Sequence, residues 1–226
     1  MIITIDGPAG TGKSTVASML AQRLGLECLD TGAMYRGAAL MAIELEIDPS
    51  DGDALAHAVR EADLNFDWSQ SPPRLRFHDR DVSRRIRDLD VSEVVSIVAA
   101  QPPLRRVLVN QQRSIASRHR RLVSEGRDQG SVVFPDAPVR FFFVADDEVR
   151  AERRVAQLAE AGKPVDRGRV LSDIRQRDSL DSSRAEAPLV CPQGALVIDT
   201  SHRSATEVVD ELERIVRNRL GSELTT

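Results

Sequence analysis

Apolar residues follow two rhythms along this chain, and the switching between them is the main structural signal. The opening run Met1-Ile2-Ile3-Thr4-Ile5-Asp6 is β-branched and predicts a buried strand over Ile2–Asp6. After a glycine-rich segment, Val16, Met19, Leu20 and Leu24 recur at helical spacing, predicting a helix over Lys13–Leu24 that stops at Gly25. Glu27–Asp30 predicts a second strand. Tyr35, Ala38, Ala39 and Ala42 share a face of a helix over about 34–45, and 48–52 is turn chemistry.

The middle of the chain loses this strand–helix beat. A helix is predicted over 54–62, then short extended pieces at 64–68, 74–78 and 81–82 around Ser71-Pro72-Pro73. Helices follow over 91–100 and, restarting at Gln101-Pro102-Pro103, to about His119. The beat resumes with a strand at 122–124 that runs into Glu125-Gly126-Arg127-Asp128, and with the apolar strand Val139–Val144. Asp146 or Asp147 is placed to cap the next helix, Gly162-Lys163-Pro164 breaks the chain, and another helix spans 169–179. A last strand at 195–199 precedes the capping-box sequence Ser204-Ala205-Thr206-Glu207. The final helix carries Val208, Val209, Leu212, Ile215 and Val216 on one face.

Strands alternating with helices imply an α/β fold with a parallel sheet covered by helices on both faces. The expected organisation is one domain, with residues 1–53 and 107–226 as core and 54–106 as an inserted subdomain. Ligands of such sheets sit at the carboxyl ends of strands. Three segments fall there: residues 7–14, Asp30-Thr31-Gly32 and Gly126-Arg127-Asp128.

The chain has 226 residues, 41% hydrophobic and 29% charged, as in soluble globular proteins. No apolar run approaches membrane-spanning length, and the N-terminus reads as a strand and not a leader. A net charge of −4 argues against general nucleic-acid binding. Cys28 and Cys191 form no paired motif, which suits a reducing, cytoplasmic setting, and the four histidines lack metal-binding spacing. Of the basic residues, 29 are arginine and two are lysine, Lys13 and Lys163.

Lys13 lies in the one stretch with a sharp chemical meaning. Gly7-Pro8-Ala9-Gly10-Thr11-Gly12-Lys13-Ser14 fits the phosphate-binding pattern G-x-x-x-x-G-K-[ST] between a strand and a helix. Glycines let successive N–H groups point inward around a polyphosphate, and the following helix adds its positive end. Lys13 would reach the β/γ-phosphates, and the Ser14 hydroxyl would ligate Mg²⁺. The bland alternative is a glycine-rich turn that binds nothing. A GTPase is disfavoured, because with lysines only at 13 and 163 no N-K-x-D guanine signature exists. Arginines at strand ends suit a reaction that joins two phosphorylated substrates, since guanidinium forks bind phosphate bidentately.

Four stretches together resemble the bacterial-type cytidylate kinases. They are residues 7–15, Leu29-Asp30-Thr31-Gly32-Ala33-Met34-Tyr35-Arg36, the run from Gly126-Arg127-Asp128-Gln129-Gly130-Ser131 to Ala137, and Arg177-Asp178 through Arg184-Ala185-Glu186-Ala187-Pro188-Leu189. The resemblance runs from Ile2 to the final helix in order. It implies a phosphate-loop kinase core with an acceptor-binding insert and a short lid at about 153–170. The implied reaction is transfer of the ATP γ-phosphoryl to CMP or dCMP with Mg²⁺, by a monomer that binds neither nucleic acid nor membrane.

The resemblance also implies residue roles. Gly7, Pro8, Ala9, Gly10, Thr11, Gly12, Lys13, Ser14 and Thr15 would hold ATP, with Ser14 beside the metal. Arg36 and Arg127 would hold the CMP phosphate, with Thr31 and Tyr35 next to it. Arg105, Asp128 and Arg184 would face cytosine, and Ser96, Arg177 and Asp181 would surround the sugar and phosphate. Lys13, Arg127 and Arg177 would act on the transferred group, and Arg153 and Arg154 would close over ATP. An aspartate accepting from an exocyclic amine favours cytosine over uracil.

Other readings remain at this point. Arg127-Asp128 alone could be an ion pair at a strand end, and Arg177, Asp181 and Arg184 sit at i, i+4 and i+7, as on any solvated helix. A kinase for UMP, AMP or shikimate is one rival. An ATP-sensing regulator that uses Arg118-His119-Arg120-Arg121 is another. Glu125 stands where many nucleoside monophosphate kinases carry an aspartate that organises the metal's water shell, and it is longer by one methylene.

Overall fold

The computed structural model describes residues 1–160, 162–163 and 165–221. Its main sheet is parallel and five-stranded, in the order β2-β6-β1-β7-β8. The strands are β1 Ile2–Asp6, β2 Glu27–Asp30, β6 Leu122–Gly126, β7 Val139–Val144 and β8 Leu196–Asp199. By its packing the chain divides into two compact units, Met1–Leu26 with Val123–Thr226, and Glu27–Leu122.

The first unit is built around β1 and β7. They pair in parallel with Ile3 opposite Val139 and Asp6 opposite Phe142. Ile3, Ile5, Val139, Phe141 and Phe143 are fully buried. The β-branched and aromatic content of these strands fits a sheet covered on both faces. Helix α1 (Lys13–Leu24) lays Val16, Ala17, Leu20 and Ala21 inward and packs on α8 (Ala205–Leu220), whose Val208, Val209, Leu212 and Val216 are buried. The predicted capping box is present, with the Ser204 hydroxyl and the Glu207 carboxylate each satisfying the other residue's backbone N–H. Helices α6 (Asp147–Glu160) and α7 (Arg167–Ser182) form a pair around Ala151, Leu158, Val170 and Ile174. The chain break predicted at Gly162-Lys163-Pro164 falls between them; Pro164, with Ala161 of the predicted lid span, lies outside the described residues.

The second unit holds α2 (Thr31–Glu44), α3 (Gly52–Glu61), α4 (Leu89–Ala99) and α5 (Pro102–Arg118), with α2 on α4 and α3 on α5. The three extended pieces become an antiparallel sheet of β3 (Asn65–Asp67), β4 (Arg74–Phe77) and β5 (Arg80–Asp81). Helix α2 begins three residues before the predicted start. The Asp30 carboxylate caps it by accepting from the Ala33 N–H at 2.9 Å, so the residue read as a strand end is also a helix cap. Among the described residues no helix is long and apolar enough to cross a membrane.

Candidate active site

The glycine-rich loop joins β1 to α1. Gly7 has φ +144°, and a Cβ there would meet the Phe143 carbonyl oxygen at 2.3 Å, so only glycine lets β1 leave the sheet at this point. Gly10, at φ +81°, lies with its missing Cβ 3.0 Å from the Cβ of Arg150. The loop is braced internally and from behind. Thr11 Oγ1 donates to the Pro8 carbonyl at 3.0 Å, and Thr200 Oγ1 donates to the Thr11 carbonyl at 3.0 Å. The first turn of α1 contains no acidic residue, so the positive end of the helix has no counter-charge of its own there.

Lys13 is buried and lies back along the loop, donating to the Pro8 carbonyl at 2.7 Å. Burial pulls its ammonium down to about 7; Arg127 adds to that, and Glu125 and Asp6 oppose it. Ser14 is exposed but donates its hydroxyl proton to Glu125 Oε1 at 2.6 Å, and Glu125 is itself buried at the end of β6. Glu125 therefore reaches the loop hydroxyl despite its extra methylene. Among the described residues no group of three or more His, Cys, Asp or Glu is placed to hold a metal ion.

A second cluster forms beyond β6. Arg127 Nε donates to Asp181 Oδ2 at 2.9 Å, and Arg184, just past the end of α7, pairs with Asp181 Oδ1. Burial alone would raise the Asp181 carboxyl, but Arg127, Arg184 and Arg177 outweigh it and hold the group below the usual range. Of the three residues, Arg177 and Asp181 lie on α7 and Arg184 just past its end, and they surround a buried carboxylate and not a solvated helix face. Arg127 turns to Asp181, on another element, for its ion pair. Arg177 acts electrostatically on both Lys13 and Asp181. Asp128 is buried, with Gln129 Nε2 donating to its Oδ1 at 3.3 Å.

Asp6 fixes this second cluster to the first. Its two carboxylate oxygens accept the backbone N–H groups of Gln129 at 2.8 Å and Gly130 at 2.7 Å. That turn, Gln129–Val133, has π-type bonding (Phe134 N–H to the Gln129 carbonyl, 2.7 Å), which the sequence pattern did not predict. Burial pushes the Asp6 carboxyl up to about 6, although both N–H groups favour its ionised form. Between the ordinary value of 3.8 and about 6 the folded protein holds a proton at Asp6 that the unfolded chain has released. Stability from this group is complete below that window and lost as pH rises through it. The expected contribution is on the order of 3 kcal/mol. Chemical denaturation at pH 4, 5 and 6 should show it, and Asp6→Asn should flatten that component of the slope.

In the second unit the predicted acceptor residues gather on α2 and the helices packed beside it. Thr31 opens α2 and is buried, as is Tyr35 one turn along. The Arg105 guanidinium lies 5.3 Å from the Tyr35 ring centre and donates to the Ala99 carbonyl at 2.9 Å. Arg36 donates to Ser92 Oγ at 2.9 Å. Ser96 lies one turn beyond Ser92 on α4 and takes no part in that bond.

The two arginines expected to close over ATP both have partners in this structure. Arg153 donates to Thr200, to its hydroxyl at 3.3 Å and its carbonyl at 2.5 Å, so in this structure it braces the residue that supports the loop. Arg154 donates to Gln157 on the same helix at 2.7 Å. Arg150, Asp6, Ser92 and Thr200 were not singled out by sequence. The only signal for Arg150 was its place in the arginine-rich start of α6.

The parallel sheet, the loop around Lys13 and the paired Ser14 and Glu125 define a phosphate-loop kinase core. A solved structure of shikimate kinase from Bacteroides thetaiotaomicron shares this fold, with a TM-score of 0.50 at 11% identity over 96% of this chain and 98% of that one. The family model described as Cytidylate kinase matches residues 3–218. Curated cytidylate kinases from Nocardia farcinica and Mycobacterium leprae are each 43% identical over 222 residues, covering 98% of this chain and 96% and 98% of those proteins. The chain belongs to the cytidylate kinase family.

Proposed function

We propose that this protein transfers the γ-phosphoryl group of ATP to CMP or dCMP, giving CDP or dCDP. The observation that carries the proposal is the family match over nearly the whole chain. The loop supports it: a lysine held near its Pro8 carbonyl is free to exchange that bond for a phosphate oxygen. Arg127, Arg177 and Arg184 supply the positive charge that a second phosphorylated substrate needs, and Asp128 supplies an acceptor for the cytosine amine. Arg36, Thr31, Tyr35, Arg105 and Ser96 complete the acceptor side in this reading. Arg153 and Arg154 serve the donor side.

Magnesium fits the oxygen chemistry of Ser14 and Glu125. Ser14 would ligate it, and Glu125 would orient the Ser14 hydroxyl through the 2.6 Å bond already in place. When bound, the ion neutralises charge on the phosphates. With so few protein oxygens present, phosphate and water would fill most of its shell. Cys28 and Cys191, unbridged among the described residues, suit a cytoplasmic enzyme. A monomer is the working state of this reading.

The test is ADP release with ATP and Mg²⁺ against CMP, dCMP, UMP, AMP, GMP, dTMP and shikimate. Release with CMP and dCMP alone is the expected result. Release with another acceptor would keep the kinase and replace the substrate. ATP binding with no acceptor-dependent release would point to a regulator.

A further inference from the structure

Arg150 bonds to four partners around the loop, and the reaction as described above does not use it. Its side chain is only 3% exposed, although it sits on a helix with a polar surface. Nε donates to the Ala145 carbonyl at 3.1 Å, at the end of β7. Nη1 donates to the Ala9 carbonyl in the phosphate loop at 3.0 Å and pairs with Asp178 Oδ2 at 2.6 Å. Nη2 pairs with Asp147. One guanidinium therefore holds the loop, the sheet end, α6 and α7 together. The loop is also in van der Waals register with this residue, since a Cβ on Gly10 would come 3.0 Å from the Arg150 Cβ.

Asp178 lies one turn before Asp181 on α7, beside Arg177. The bonded path thus runs from the Ala9 carbonyl through Arg150 and Asp178 to the turn of α7 that holds Asp181, Arg127 and Arg184. Among the described residues Asp178 Oδ1 has no hydrogen-bond partner, so Arg150 is this carboxylate's one bonded anchor.

Given the kinase reading above, we propose that Arg150 is a positioning residue that couples the two substrates. It ties the loop that holds the donor to the helix turn that holds the acceptor, through Asp178. Reshaping of the loop around ATP moves the Ala9 carbonyl and is felt at Asp181. Lysine could not replace it, because a single ammonium on a flexible stem lacks the planar fork that spans Ala9 and Asp178.

The experiment is calorimetric titration of a non-hydrolysable ATP analogue, with and without saturating CMP. In the unaltered protein CMP should tighten analogue binding about tenfold, within the usual range of coupling between sites. Asp178→Ala should bring that ratio to about one while each substrate alone still binds. Asp178→Asn, which keeps an acceptor oxygen, should restore part of it. Arg150→Lys is the second variant and should also lose the coupling. Thermal melts establish that each variant is folded. A merely structural role would lower the melting temperature and leave the ratio unchanged. Full coupling in folded Asp178→Ala or Arg150→Lys, or none in the unaltered protein, overturns the proposal. Absence of CMP-dependent ADP release from the unaltered protein would instead remove the kinase reading, and this proposal with it.

Discussion

Lys13→Ala should cost at least about 10²–10³-fold in turnover while leaving the substrate-free protein as stable as before. The two halves of this expectation have one cause. The ammonium sits in a buried loop where desolvation and Arg127 already disfavour its charge. Its direct gain is a hydrogen bond to the Pro8 carbonyl at 2.7 Å and a long one to Thr11 Oγ1 at 3.4 Å, a net contribution of about 1 kcal/mol. Removing it relieves a penalty of comparable size, so the melting temperature should hold or rise. The strain is useful only when phosphate arrives, because developing charge on the transferred group then meets a cation that water does not screen. Coupled ADP release and a thermal melt on the same preparation test both halves. Near-normal turnover would remove Lys13 from the mechanism.

Asp181→Asn should be the most destabilising of the single changes considered. It leaves Arg127 and Arg184, largely buried, without the carboxylate they share, a situation that typically costs about 3–5 kcal/mol. Urea unfolding should show the loss as a lower midpoint with little change in slope. The same variant should gain more from added inorganic phosphate than the unaltered protein does, since two guanidinium groups have then lost their shared carboxylate. Its KM for CMP should rise. A loss below about 1 kcal/mol with unchanged KM would show that the Arg127–Asp181–Arg184 group serves neither stability nor acceptor binding.

The order of strands and helices was legible because each core element carries its own period and its own punctuation. Lys13–Leu24 and Val139–Val144 fall where apolar spacing places them. The start of α2 was misplaced because Asp30 serves two elements at once, and periodicity registers only the apolar face. The turn at Gln129–Val133 escaped because its shape is set from outside, by a carboxylate over a hundred residues away in sequence. The loop chemistry was legible because a backbone cradle demands glycines at fixed spacing. Arg150 was not, since a chain with 29 arginines gives no sign of which one is dehydrated. Arg153 shows the same limit. Its position on the helix after β7 was clear, yet its partner, Thr200, comes from the far end of the chain.

The bond from Thr200 to Thr11 spans 189 residues of sequence. The phosphate loop thus takes a supporting hydroxyl from the segment that follows the last strand. Its strand β1 likewise waits for β7 before it has a neighbour on that side. The glycine motif is local in sequence, whereas the scaffold that shapes it is drawn from distant segments. A product cut short before β8 would display the motif intact and lack the support beneath it. Removing the segment that carries Thr200 should therefore weaken nucleotide binding while leaving every residue of the motif in place.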